Sequence, residues 1–390
     1  VLGGGFVPGS VVLLAGDPGV GKSTLVLQLM DRLTAAGRSC LLATGEESLD
    51  QVGLRARRLG IDGDRLHALA ATSLPDVIAA ARQFDPDVLF IDSIQTMEDP
   101  TLSQRAGTLT QVRECANDLA RFAKGSGCAT VLIGHVTKDG DVAGPKTLEH
   151  LVDAVLDLEG ERSGSLRLLR AHKNRFGSCE ETGVFAMREI GLEEVPDPSR
   201  LFLSDRLDGV PGSIVFPSIE GTRPMLAEVQ ALVTKQDYPQ PRRVAIGCDA
   251  RRLAMLMGVL QEHTNVSLEK KDVFVATAGG LTVKEPAADL AICFAIASAC
   301  LGMPVPAATV AFGEVGLAGE VRRVPSIERR LEEAARLGFT RAVVGRHVER
   351  APDGLELVRV RNVDAALEVL RSAPRRTANG ERRDDRRVTI

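Results

Sequence analysis

Residues 16–24 read GDPGVGKST, and no other stretch constrains the fold of this chain so tightly. The pattern G-x-x-x-x-G-K-[ST] stands between an apolar run, SVVLLAG, and a helical one, STLVLQLMDRLTAAG, the strand–loop–helix setting that makes it a phosphate loop. Gly16, Gly19 and Gly21 let backbone N–H groups face a phosphate with no Cβ in the way, and Asp17, Pro18 and Val20 complete the loop. Lys22 brings a point charge, Ser23 a hydroxyl suited to Mg²⁺, and Thr24 a helix position within reach of the α-phosphate. The bland alternative, a glycine-rich turn with a chance lysine, does not explain that setting.

A phosphate loop of this kind needs a parallel sheet, and the residues after it supply one. Apolar runs alternate with helical patterns through SCLLATG, SLDQVGLRARRLG, LHALAAT, LPDVIAAARQF and DVLFIDS, which implies right-handed crossovers. Ser48 with Gln51 has capping-box spacing, and Pro75 follows Ser73 at a first helical position. Beyond residue 150, AVLDLEG, SLRLLRA and GVFAMRE read as consecutive strands that extend the sheet at one edge.

A chain of 390 residues exceeds what one core holds, so two domains are expected. The proline-rich segment 196–212 is the expected linker between domains at 1–195 and 213–372, with a disordered tail at 373–390. The second domain reads as α+β. PMLAEVQALVTK forms a strand, DARRLAMLMGVLQEH and PAADLAICFAIASACLG helices, FGEVGLAGEV a hairpin, and SIERRLEEAARLG a charged helix.

The net charge of −4 excludes a histone-like binder, so any nucleic-acid contact must be local or created by assembly. Seven cysteines form no CxxC pair, which argues against zinc in this chain and for small core residues in a reducing cytoplasm. No apolar run is long enough to span a membrane, and the expected location is cytoplasmic. The chain opens on VLGGGFVPGS without a methionine, so residues upstream are expected.

Other strand ends complete a nucleotide site. Asp92 closes DVLFIDS as the candidate metal-side carboxylate. Glu46 and Glu47 in ATGEES follow the strand after the P-loop helix. Their side chains diverge, so one is expected to act on water, with Glu47 favoured and first-turn helix acids as the alternative. His135 ends CATVLIGH, where a polar group can sense a γ-phosphate, although a hydrogen-bonded structural histidine is the commoner case. AHKNRFGS places Lys173 and Arg175 one residue apart with no acid between them.

Together, VLGGGFVPGSVVLLAGDPGVGKSTLVLQL, TGEES, DVLFIDSIQTM, IGHVTKDG, AGPKTLEHLVD and AHKNRFG resemble the bacterial RadA (Sms) family of recombination and repair proteins, with a RecA-type core. KNRFG is the most specific of these. The resemblance implies an α/β RecA-like P-loop ATPase domain using ATP and Mg²⁺, turned over to ADP, in a hexameric ring of identical chains related in its core to DnaB-type helicases. It implies action on single-stranded or branched DNA beside a RecA-type recombinase. Nucleotide would lie between subunits, with Arg175 a finger reaching the neighbour's γ-phosphate and Lys173 its companion. A cation of this kind is worth ~10³ to 10⁵ in rate. Phe176 is expected to pack and Gly177 to free the backbone of the turn that aims them. Family members usually carry an N-terminal four-cysteine zinc module, for which this chain has no cysteines.

The second half resembles the proteolytic domain of Lon, whose hydrolysis needs a serine nucleophile and a lysine. Ala287 stands at the serine position and Glu328 at the lysine position, while Lys284 and Ser326 do not fit the pattern. A non-proteolytic Lon-like domain is therefore expected. DNA is expected at loops bearing Arg105, and Lys138 with Lys146, with an outer contact at Arg242 and Arg243 beside Tyr238. None of the central loops carries an aromatic, so sequence preference should be weak. The rival readings are an ATP-dependent Lon-like protease and a KaiC-like ATP switch that moves no DNA.

Overall fold

The computed structural model describes residues 1–135, 145–160, 166–235, 240–278 and 282–372, with backbone alone at 145, 146 and 372. Lys138, Tyr238 and the segment 373–390 lie outside the described residues, and of Lys146 only the backbone is described. The chain forms two compact units, Val1–Pro198 with Ile219–Arg223, and Ser199–Ser218 with Pro224–Ile390.

In the first unit the elements run β1 (Val11–Ala15), α1 (Lys22–Ala35), β2 (Cys40–Thr44), α2 (Leu49–Arg58), β3 (His67–Ala70), α3 (Leu74–Phe84), β4 (Val88–Asp92), α4 (Leu109–Ser126), β5 (Ala129–Ile133), α5 (Pro145–Leu148), β6 (Ala154–Glu159), β7 (Leu166–Asn174), β8 (Thr182–Arg188) and β9 (Gly191–Glu194). They build a nine-stranded sheet ordered β3-β2-β4-β5-β1-β6-β7-β8-β9. The pairings from β3 to β6 are parallel, and β7, β8 and β9 add on antiparallel, as the consecutive strand patterns predict. This is the mainly parallel P-loop architecture expected from the sequence.

Alternation along β1 divides the core. Val12 and Leu14 pack with Val26, Leu27 and Met30 of α1 and Val52 and Ala56 of α2, whereas Val11 and Leu13 pack with Leu74 and Val77 of α3 and Val112, Cys115 and Leu119 of α4. A sheet covered on both faces must be apolar on both faces, which is why these strands read as unbroken apolar runs. Each buried branched side chain contributes about 1.5–3 kcal/mol. Burial also pushes the thiols up, Cys40 and Cys128 to about 11 and Cys115 to about 12, so these three behave as small apolar residues. Ser48 and Gln51 form the expected capping box, and Pro75 lies in the first turn of α3 after its N-cap, Ser73.

In the second unit, α6 (Pro198–Leu203) falls within the proline-rich stretch and is followed by β10 (Ser213–Glu220), β11 (Arg223–Lys235), β12 (Arg243–Ile246), α7 (Ala250–His263), β13 (Lys271–Thr277), α8 (Asp289–Leu301), β14 (Thr309–Ala311), β15 (Glu314–Val315), β16 (Val321–Arg322), α9 (Ile327–Arg336), β17 (Arg341–Gly345), β18 (Glu356–Val360) and α10 (Val363–Ser372). Its seven-stranded sheet is ordered β12-β13-β11-β10-β14-β17-β18, with β15 and β16 a separate antiparallel pair. Helix α8 is apolar all round because it is buried all round, from Asp289 to Ser298. Its one acid, Asp289, is held by both Nε and Nη2 of Arg252, each at 2.5 Å. Among the described residues no helix is long and apolar enough to cross a membrane.

Candidate nucleotide site

The carboxyl ends of β1, β2, β4 and β5 lie side by side, with Leu14 opposite Ile133 and Thr44 opposite Asp92. Open parallel sheets present ligand sites at that edge. The P-loop leaves β1 and enters α1, whose N-cap is Gly21 at φ 117°. A Cβ on Gly16 would stand 2.5 Å from the Leu158 carbonyl oxygen, and Gly21 sits in the left-handed region that L side chains rarely adopt, so both positions require glycine. Lys22 is buried, and its Nζ donates to the carbonyls of Gly16 at 2.7 Å and Asp17 at 3.0 Å. Burial lowers its pKa, against the pull of Asp92, Glu46, Asp17 and Asp157.

Asp92 is buried, accepts a hydrogen bond from the Ser23 hydroxyl, and has its pKa raised chiefly by desolvation. Its Oδ1 is buried without a hydrogen-bond partner. A desolvated carboxylate oxygen beside a serine hydroxyl is a hard-oxygen donor set, so these residues fit Mg²⁺. Thr24 is buried at the start of α1, while Asp17, Pro18 and Gly19 are exposed and Val20 is buried.

The two glutamates diverge as expected, but to different partners than the favoured choice implies. Glu47 forms an ion pair with Arg55, four residues beyond the Gln51 of the capping box, and its N–H donates to Thr44 Oγ1 at 3.1 Å. Glu46 turns inward. Its Oε1 accepts from Ser93 Oγ and lies 2.9 Å from His135 Nε2. The His135 bond is the leading cause of its lowered pKa, followed on the same side by Ser93 and Lys22 and opposed by desolvation. Both carboxylates lie near enough to Asp92 to raise its pKa, but only Glu46 also acts on Lys22, while Glu47 is held by Arg55 on α2.

Lys173 and Arg175 do meet partners in their own chain, which corrects the reading of two cations without a local acid. Arg175 Nη1 donates to Asp153 Oδ1 at 3.0 Å, and Lys173 Nζ donates to the carbonyls of Glu149 and Val152 at 2.5 and 2.8 Å. These acceptors lie just before β6, distant in sequence and adjacent only through the β6–β7 pairing. Phe176 is exposed rather than packed, and Gly177 is not in the left-handed region. Asn174 makes the turn instead: its Oδ1 accepts the Phe176 N–H at 3.0 Å and its Nδ2 donates to the Ser178 carbonyl at 3.4 Å.

Three contributors carry no motif. Arg167 is buried on β7, and its Nε donates to the Val20 carbonyl of the P-loop at 2.8 Å. Asp157 on β6 lies close enough to raise the Lys22 pKa. Gln95 Nε2 donates to the His135 carbonyl at 3.5 Å. The signal for Arg167 and Asp157 was a polar residue within an apolar strand, whereas Gln95, in the turn after β4, carried none.

Of the expected DNA contacts, Arg105 is exposed. Arg242 pairs through Nη2 with Asp272 at 2.8 Å and stacks over Phe274, and Arg243 Nη1 donates to the Arg242 carbonyl at 3.1 Å and to that of Lys271. In the second unit Ala287 is buried and Glu328 is exposed. Beside them Arg330, 1% exposed, pairs with Glu285, donates to the Pro217 and Pro325 carbonyls and lies over the rings of Phe216 and Phe312.

A family model described as an AAA domain matches residues 1–141. The DNA repair protein RadA of Pseudomonas aeruginosa is 51% identical over 372 residues, covering 95% of this chain and 82% of that protein. The proteins of the same name from Escherichia coli and Bacillus subtilis are 48% and 47% identical, over 95% and 94% of this chain and 80% and 81% of their own lengths. Among solved structures, a KaiC-like protein of Pyrococcus horikoshii matches with 20% identity and a TM-score of 0.40, over 50% of this chain and 93% of its own.

Proposed function

The chain belongs to the RadA family of DNA repair proteins, and on that footing we propose that it is a DNA-dependent ATPase motor of recombination and repair that hydrolyses ATP between subunits of a ring. The ring is a hexamer of identical chains in the cytoplasm, acting beside a RecA-type recombinase to extend or branch-migrate joined DNA.

The observation that carries this reading is the separation of two charge groups along β1. The P-loop begins where β1 ends, at Gly16, whereas Asp153, which holds Arg175, accepts the N–H of Val11 where β1 begins. Five strand residues at ~3.3 Å each put about 16 Å between the ends, more than an arginine side chain spans. Arg175 does not reach its own subunit's P-loop, which supports the reading that it serves a neighbour's nucleotide in an assembly.

In this mechanism the P-loop amides and Lys22 hold the phosphates, and Ser23 and Asp92 hold Mg²⁺. The metal supplies charge neutralisation on the β- and γ-phosphates when bound. Glu46 takes the role of orienting water and accepting its proton, in preference to Glu47, because it is bonded to Ser93 and His135 and lies near Lys22, whereas Glu47 is paired with Arg55. His135, bonded to Glu46, links that event to the loop that follows it. DNA is assigned to the loops of Arg105, and of Lys138 and Lys146, where repetition around a ring multiplies a few charges. The half-exposed faces of Arg242 and Arg243 are at most an outer contact. The second unit is a Lon-like domain without peptidase chemistry, with a buried alanine, Ala287, where a Lon-type site needs its serine.

The test mixes Lys22→Ala subunits with Arg175→Ala subunits, each inactive alone. Mixed rings should recover ATPase activity wherever an intact P-loop meets an intact finger, and co-assembly without recovery would overturn the trans assignment. Turnover indifferent to single-stranded DNA across a salt titration would favour a switch of the KaiC kind. Casein hydrolysis blocked by a serine reagent would favour a protease.

A further inference from the structure

We propose that Asp153 is the positioning residue of the Arg175 finger, a role that rests on the trans reading above and assigns this acid to the neighbour's site. Four contacts converge on it. Its backbone N–H donates to the Val11 carbonyl at 2.8 Å, and its Oδ2 accepts the Val11 N–H at 3.0 Å, so the first residue of β1 grips it from both sides. Its backbone carbonyl accepts the Arg175 N–H at 3.0 Å, and its Oδ1 accepts Arg175 Nη1 at 3.0 Å. The carboxylate is thus divided, one oxygen spent on the central strand and the other on the finger.

The division has a physical consequence. The Asp153 side chain is 10% exposed while that of Arg175 is 53% exposed, so a fixed buried anion holds the inner edge of a guanidinium whose outer edge faces outward. A free arginine side chain loses rotamer entropy when immobilised. Bonding to Asp153 removes much of that cost before the neighbour's phosphate arrives. Lys173 is held likewise, on the carbonyls of Glu149 and Val152, so the turn from 149 to 153 carries both cations of the motif. That turn leads directly into β6, which pairs with β1, and the finger is thereby referenced to the centre of the sheet.

Asp153→Asn is the informative change, because the amide oxygen can still accept the Val11 N–H while the charge that holds Arg175 is gone. ATP turnover should fall about ten- to a hundredfold with the KM for ATP little changed, since the variant's own P-loop is intact. Mixing separates this role from a structural one. Asp153→Asn subunits should restore activity when mixed with Lys22→Ala subunits and should restore none with Arg175→Ala subunits. The inverse pattern would assign Asp153 to its own subunit's site and overturn the proposal, as would turnover that is unchanged or raised. In an Arg175→Ala background, Asp153→Asn should add no further loss, and an additive loss would likewise overturn it. Failure of the trans reading itself is seen separately, as absence of recovery between Lys22→Ala and Arg175→Ala.

Discussion

His135 Nε2 lies 2.9 Å from Glu46 Oε1, joining the end of β5 to the end of β2 across the intervening β4, and Ser93, just after β4, donates to the same oxygen. One carboxylate oxygen thus gathers two strand ends next to Lys22, and this sets the first two predictions.

Glu46→Gln should lower ATP turnover by about 10²- to 10⁴-fold while leaving nucleotide binding intact, the range for loss of a general base. Glu47→Gln loses an ion pair with Arg55 that is a quarter exposed, and should change turnover less than tenfold. Steady-state hydrolysis beside equilibrium binding of a fluorescent ATP analogue distinguishes the two. A larger loss in Glu47→Gln than in Glu46→Gln would return the assignment to Glu47.

The hydrogen bond from His135 is the largest cause holding the Glu46 carboxyl below its ordinary value. A base with a depressed pKa stays ionised as pH falls, so the acid limb of kcat attributable to Glu46 should lie below the usual glutamate range of about 4.3. In His135→Ala that limb should move upward. The sign for stability is the same: the contribution is present above the unfolded value and is lost as pH falls through the folded one. A pH–rate profile of both proteins reads the shift.

Burial disfavours the charged form of Lys22 in the folded chain. Lys22→Met should therefore leave the melting temperature of the nucleotide-free protein unchanged or raise it. The same variant should lose the stabilisation conferred by ATP with Mg²⁺, which at a hundredfold excess over Kd is about 2.7 kcal/mol. Thermal unfolding with and without nucleotide measures both effects in one experiment.

Arg330→Ala should destabilise the second unit by about 3 kcal/mol, because it strips a partner from Glu285 and removes cover from Phe216 and Phe312. Arg330→Met, which keeps the volume, should cost less. Urea denaturation followed in each variant gives the difference, and nucleotide binding by the first unit should survive both.

Much of this was written locally. The phosphate loop, the capping box at Ser48 and the alternation of strand and helix depend on residues within a turn or two of each other, so spacing alone specifies them. Asp92 was legible for the same reason, since a lone acid closing an apolar strand has one sensible place to point. The motif of Lys173 and Arg175 was visible as a charge pattern, but its anchor was not. Asp153 stands 22 residues away, and only the β6–β7 pairing brings the two together.

The choice between Glu46 and Glu47 divides along the same line. Sequence by itself predicted that two adjacent acids would take different directions, because neighbouring side chains leave a strand end on different sides. Only the tertiary structure decided which partners each takes, since these are Arg55 on α2 for Glu47, and Ser93 after β4 and His135 after β5 for Glu46. Local pattern fixes how a backbone runs, whereas the direction a carboxylate takes depends on charges and donors that folding carries in from distant parts of the chain.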